Sequence, residues 1–310
     1  ATSENDIEQS IAQVYIQILY AAESVKVNEN TLQVSEAQRD RGKQLLDAGS
    51  IARSDYAQLE AQVSTDRYQL VTAQATLQDY KLQLKQLLEL DGEQEMQVYL
   101  PALGDENVLS PLPTKTDVFR SAVALRPEIE ASKLSVEASE LGIGIAKSGY
   151  LPSVSLTAGI GTNHTSGSDF TFGEQVKNGW NNSIGLSISV PIFNNRQTKS
   201  AVEKAKLQYQ TSQLTLLDEQ KTLYKTIEGL WLDANSAQQR YAAAIEKLHS
   251  TQTSYELVSE QFNAGMKNTV ELLTEKNNLL QAQQELLQSK YMAILNTQLL
   301  KFYQGDKITL

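Results

Sequence analysis

The sequence predicts a mainly α fold with one β-hairpin, in which long antiparallel coiled-coil helical pairs occur twice. Three observations carry this reading. All six prolines, Pro101, Pro111, Pro113, Pro127, Pro152 and Pro191, fall between residues 101 and 191, so residues 1–100 and 192–310 lack the residue that breaks helices. In the later segment, Ile227, Leu230, Ala234, Ala237, Tyr241, Ala244, Leu248, Tyr255, Val258 and Phe262 keep a three-four spacing, with one polar gap at Thr251. That is the seam of a coiled coil. In the middle third, two stretches alternate apolar with small polar residues, the period of a strand.

The first helical pair spans residues 1–90. A shift of about 216 residues lays it on the later pair without a gap: Ile11 falls on Ile227, Ala21 on Ala237, Leu32 on Leu248 and aromatic Tyr15 on aromatic Trp231. The same shift sets Ala48-Gly49 on Ala264-Gly265, so each copy reads as helix, tight turn ("DAGS" or "NAGM") and returning helix. Glycine suits the left-handed position at a helix end. Residues 91–113, rich in turn formers, form a linker. A helical segment follows over 114–150, with Pro127 a place where it can break.

Residues 151–193 hold the alternating stretches. In "LPSVSLTAGIGTNHT", Val154, Leu156, Ala158 and Ile160 share one face; in "NNSIGLSISVPIFNN", Ile184, Leu186, Ile188 and Val190 do. The opposite faces carry Ser, Thr and Gly, and "SGSDFTFGEQVKNGW" is the loop of a long hairpin. Each strand has about the length that crosses a bilayer when tilted, ~10 residues. Trp180 and Phe193 stand where an aromatic girdle would lie. A soluble hairpin packed on a helix is the alternative, but a lone hairpin is marginal in water and the helices spend their apolar stripes on each other. The second helical pair covers 194–303, with Leu272-Leu273, Leu279-Leu280 and Leu286-Leu287 repeating every seven residues, and a tail closes the chain over 304–310. A helix from about Arg196 to Asn263 would run on the order of 100 Å.

Composition excludes several functions. A net charge of −10 disfavours nucleic acid, since phosphate contacts need clustered Lys and Arg. With no cysteine and two histidines, His164 in the loop and His249 on a helix, neither disulfides nor a thiolate or histidine metal site is expected. "GIG" at 142–144 and 159–161 lacks the rest of either phosphate-binding fingerprint. Carboxylates are scattered with no acid–base pair. No catalytic residue, cofactor or metal is expected. No signal-peptide pattern opens the sequence, and "ATSENDIEQS" reads as a mature or truncated start.

The order helix, "YLPSVSLTAGIG", loop, "SIGLSISVPIFNNRQTKSAVEKAK", long helix, "AG" turn, helix resembles the TolC-like outer-membrane efflux proteins, as do "ALRPEIEAS" and the paired "AG" turns. The resemblance covers essentially the whole chain. It implies a homotrimer whose strands close a transmembrane β-barrel, continued by an α-barrel across the periplasm of a Gram-negative bacterium. It further implies a periplasmic adaptor and an inner-membrane pump as partners. The lipid-facing strand residues would be Val154, Leu156, Ile160, Ile184, Leu186, Ile188 and Val190. The family's first repeat opens with its own hairpin; this sequence begins inside the following helix, so it offers two strands where the family has four.

The resemblance also assigns residues at the turns. Ala48, Gly49, Ser50, Ala264, Gly265 and Met266 match the adaptor-docking tip. Ser54 and Asp55, with Phe262 and Lys267, match the polar links that hold the closed gate, Asp55 and Lys267 keeping an ion pair and Phe262 losing a hydroxyl. Glu271 matches one lumen carboxylate, which three copies would turn into a cation-favouring ring, while Thr274 breaks the other. Capping or solvation is the competing account of Asp55, Lys267 and Glu271, which follow a turn glycine. A periplasmic adaptor or coiled-coil scaffold is the rival function. The adaptor would need β-rich domains that are absent, and a scaffold leaves the uncharged hairpin unexplained.

Overall fold

The computed structural model describes residues 2–90, 96–101, 104 and 108–308. In chain order the elements are α1 (Thr2–Asp47), α2 (Arg53–Leu87), α3 (Lys115–Leu125), α4 (Pro127–Ser148), β1 (Ser153–Gly161), α5 (Phe172–Asn178), β2 (Asn181–Ser189), α6 (Gln197–Asn263) and α7 (Thr269–Gln304). They fall into two compact units, one of residues 1–128 with 220–310 and one of residues 129–219. The linker expected over 91–113 and the tail expected over 304–310 lie partly outside the described residues.

The first unit is built on the helical pairs. Every residue of the predicted α6 seam is buried or half-buried, with Ile227 and Ala234 fully enclosed. Ala237 and Tyr241 pack with Ala293 of α7 and with Val108, while Ile16 and Leu19 of α1 pack on Tyr291 of α7. Each large apolar side chain so buried contributes about 1.5–3 kcal/mol. The duplication extends to the aromatic pair: the Tyr15 hydroxyl donates to Tyr99 O (2.7 Å), and Trp231 Nε1 donates to Pro113 O (3.0 Å). Both copies therefore pin the connecting segment by one aromatic donor, and Gln238 Nε2 adds bonds to Val108 O and Ser110 O.

Helix breaks at Pro127, as the sequence allows. Arg126, disfavoured in the helical region by the following proline, is extended (φ −74°, ψ 125°) and ends α3. Its side chain is buried, with its guanidinium 4.4 Å from the Phe302 ring and 4.0 Å from the Tyr303 ring at the end of α7.

The second unit holds the hairpin. β1 and β2 pair antiparallel from Ser153↔Ser189 to Gly161↔Asn181. Hydroxyls tie its helical segments together, Ser139 to Ser212 at 2.8 Å and Thr198 Oγ1 to Gly149 O at 3.3 Å. Two details differ from expectation. The loop contains α5, started by Thr171, whose N–H and hydroxyl both donate to Glu174 (2.9 and 2.8 Å); the Thr-x-x-Glu spacing was the signal for it. Val190 lies one residue beyond β2, because Pro191 has no N–H to extend the ladder.

Candidate functional site: the paired turns and the two-faced hairpin

The two helix turns are copies in atomic detail. In the first, the N–H groups of Ala48, Gly49 and Ser50 donate to Gln44 O, Leu46 O and Leu45 O at 3.0, 2.9 and 2.8 Å. In the second, Ala264, Gly265 and Met266 donate to Glu260 O, Phe262 O and Gln261 O at the same three distances. Gly49 and Gly265 share φ +74°, the left-handed position such a helix end requires. All six tip residues are exposed. Beneath them Leu59 of α2, Phe262 of α6 and Leu272 of α7 are buried together, with Leu45 of α1 against them, which sets both turns at one end of this unit.

Helix starts after the turns are also matched. Asp55 accepts the Ala52 N–H (3.2 Å), and Glu271, its counterpart in the repeat, accepts the Asn268 N–H (3.1 Å). Asn268 completes the reciprocal box by accepting the Glu271 N–H at 2.9 Å; Ala52 has no side-chain oxygen and supplies half of one. Lys267 Nζ lies 2.5 Å from Glu271 Oε1, both side chains being partly exposed. The Lys267 hydrogen bond first, and the Asn268 N–H second, hold the Glu271 carboxyl below the usual carboxylate range.

Within one chain the residues expected at the gate are placed as follows. The Asp55–Lys267 pair is not formed within the chain: among the described ion pairs Lys267 goes to Glu271, its neighbour one helical turn on, and Asp55 caps its own helix. Phe262, expected to lack its link for want of a hydroxyl, is core, 3% exposed. Ser54 is exposed on the first turn of α2, and Thr274 is exposed with its hydroxyl donating to Val270 O.

The hairpin separates its faces along most of the ladder, with Asn182, opposite Ile160, the polar residue at the loop end of the apolar face. Cross-strand partners Val154↔Ile188, Leu156↔Leu186 and Ala158↔Ile184 make one face apolar; Ser153↔Ser189, Ser155↔Ser187, Thr157↔Gly185 and Gly159↔Ser183 make the other small and uncharged. The apolar side chains stand open, Ile184 at 84% and Leu186 at 67% exposure. Contiguous exposed apolar surface of this kind marks contact with another protein or with lipid. The exit turn from β2 holds Asn195 and Arg196 at φ +50° and +61°, a region asparagine enters readily and arginine rarely.

Residue patterns did not reveal the interior charges. Asp66 and Lys276 occupy the apolar stripes of α2 and α7, in step with Leu59 and Val63 and with Leu272 and Leu279, and both are buried. A charge standing on an apolar stripe was the available signal. No helix among the described residues is long and apolar enough to cross a membrane.

The sequence model of outer membrane efflux proteins matches residues 118–305, which includes the hairpin, its exit turn and the second helix turn. The chain belongs to the outer membrane efflux protein family. It is similar to outer membrane efflux protein BepC of Brucella suis, 24% identical over 294 residues, covering 94% of this chain and 61% of the relative. It is also similar to outer membrane protein TolC of Escherichia coli strain K12, 25% identical over 308 residues, covering 95% and 60%. Its fold matches a solved structure of CusC with a TM-score of 0.81 at 20% identity, over 98% of this chain and 69% of that one. The chain thus spans about three fifths of the length of these curated relatives.

Proposed function

We propose that this outer membrane efflux protein family member forms part of an exit duct. Three copies close a β-barrel in the outer membrane, and their helical pairs continue it as a tunnel through the periplasm. The observation that carries the reading is the hairpin, whose apolar face has no covering element in its own unit and whose other face is small, polar and uncharged. Lipid outside and water inside would satisfy both faces, provided further strands leave no edge unpaired. The family match and the CusC-like fold support it.

The exposed turn residues Ala48, Gly49, Ser50, Ala264, Gly265 and Met266 are the docking tip for a periplasmic adaptor, which connects the duct to an inner-membrane pump. Small side chains there let a partner helix approach closely. The gate lies at the same end. Glu271, brought near its copies by the threefold axis, favours cations, and Lys267 moderates that charge because the two are paired in each chain. Asp55 and Ser54 sit on the adjoining helix start.

Reconstitution of the full-length protein into planar bilayers tests the duct. The expected result is a trimer by mass in detergent and discrete channels of low closed-state conductance. A water-soluble monomer giving no conductance would overturn the duct and favour a coiled-coil scaffold.

A further inference from the structure

Asp66 and Lys276 carry charge into the interior at a place where no cap or turn needs it. Their side chains are 1% and 4% exposed. Lys276 Nζ on α7 donates to Asp66 Oδ2 on α2 and to Ser35 Oγ on α1, and the Ser35 hydroxyl donates to the same carboxylate oxygen. Gln62 Nε2 holds the other oxygen at 2.9 Å. One polar knot thus joins both helices of the first pair to the returning helix of the second. The repeat does not copy it: under the shift that superposes the copies, Asp66 meets the buried Ala282, and Lys276 meets the exposed Glu60.

Such a pair adds little net stability, because removing two charges from water offsets their attraction. It does impose direction. The ammonium can leave the carboxylate only by exposing both ions to the apolar interior, so α7 cannot slide along or part from α2 at this level, while a small rotation about the contact keeps the ions together. The surroundings are less demanding. Nearer the turns the two pairs meet through Leu59, Phe262 and Leu272, and apolar contact has no preferred direction. On the α1–α6 side lies a cleft of about 570 Å³, lined by Val34, Ala37, Gln38, Tyr255, Ser259 and Phe262 and crossed by the bond from Gln38 Nε2 to the Tyr255 hydroxyl. Rigid contact on one side, apolar contact below and space on the other side is the arrangement of a pivot.

We infer that the Asp66–Lys276–Ser35 knot is the fulcrum about which the second helical pair swings against the first when the turns separate, the α1–α6 cleft supplying the room. This rests on the reading of the turns as a gate. The fulcrum fixes where along the helices motion begins: residues between the knot and the turns move, and the packing of Ile16, Leu19 and Tyr291 farther along α1 and α7 stays.

The test uses the full-length protein with D66L/K276L, which removes both charges and keeps an apolar interior. Because this chain has no cysteine, Ala37→Cys and Ser259→Cys place spin labels across the cleft without background from it. The expected result is an unfolding midpoint at or above wild type, a broadened distance distribution across the cleft, and closed-state leak raised about tenfold, within the usual range of coupling between two sites. A retained midpoint with unchanged distances and unchanged leak would show that the knot does not direct the motion and would overturn the fulcrum. If the leucine pair does not assemble, S35A decides: loss of the two hydrogen bonds of Ser35 should raise leak about threefold, and wild-type leak in S35A overturns the proposal. A wild-type protein without channel activity would overturn the duct instead, while the cleft distances in detergent still judge the fulcrum.

Discussion

Gly49 and Gly265 hold one backbone angle in two copies, and an added Cβ would meet no heavy atom within 4 Å at either site. The cost of alanine there is therefore conformational and should be the same in both, about 1 kcal/mol each. Urea titration of G49A and G265A should show equal drops in midpoint, with G49N and G265N recovering most of the loss, because asparagine tolerates the left-handed region. Unequal drops would mean that one turn is strained by something besides its own backbone. Glu271 gives a second residue-scale expectation. Its carboxyl is held below the ordinary value of 4.5 by Lys267 and the Asn268 N–H. A depressed acid contributes stability that is complete above its unfolded pKa and is lost as pH falls through the folded one. Melting curves of wild type and E271Q, separate at neutral pH, should draw together as the pH falls through the lowered pKa of the folded protein. A gap that persists in acid would show that the glutamate acts through packing and not through its charge.

The elements were legible to different degrees, for physical reasons. A seam such as Ile227–Phe262 depends on spacing alone, so α6 and its burial followed from the sequence, and so did the alternation that fixes β1 and β2. The turns were legible because glycine at a helix end has a local cause. The Thr171–Glu174 start of α5 was also local and was overlooked inside a loop of turn-forming residues. The interior polar groups needed partners far along the chain: Asp66 finds Lys276 across 210 residues, and no local rule joins them. Arg126 belongs to the same class. Its extended backbone could be inferred from Pro127, but its place between Phe302 and Tyr303 depends on α7 ending there. Desolvated cation–ring contacts and the buried alkyl stem make R126A cost about 2–4 kcal/mol. R126K should recover little of it, since a compact ammonium does not stack as a planar guanidinium does. P127A, by contrast, should leave the break between α3 and α4 in place, because the stacked Arg126 holds the chain extended. Hydrogen exchange over residues 122–130 would check this, and new protection there would show that proline alone makes the break.

At the scale of the whole molecule everything turns on which solvent meets each face of the hairpin. Leu186 and Ser187 are adjacent on β2 and point to opposite faces, so the same substitution at both isolates the environment from the residue type. An arginine at position 186 would face hydrocarbon, where a cation near the bilayer midplane costs about 2–4 kcal/mol in each subunit. An arginine at position 187 would face water and keep its hydration. L186R should therefore lower the yield of heat-resistant trimer in the outer membrane, while S187R should assemble normally. The second variant should change conduction in its place. Three added positive charges around the lumen repel cations, so the reversal potential in a salt gradient should move toward anion preference, and more so at low ionic strength, where screening is weak. Equal assembly defects in the two variants would mean that protein covers both faces, and the hairpin would then be a packed element of a scaffold and not the wall of a duct.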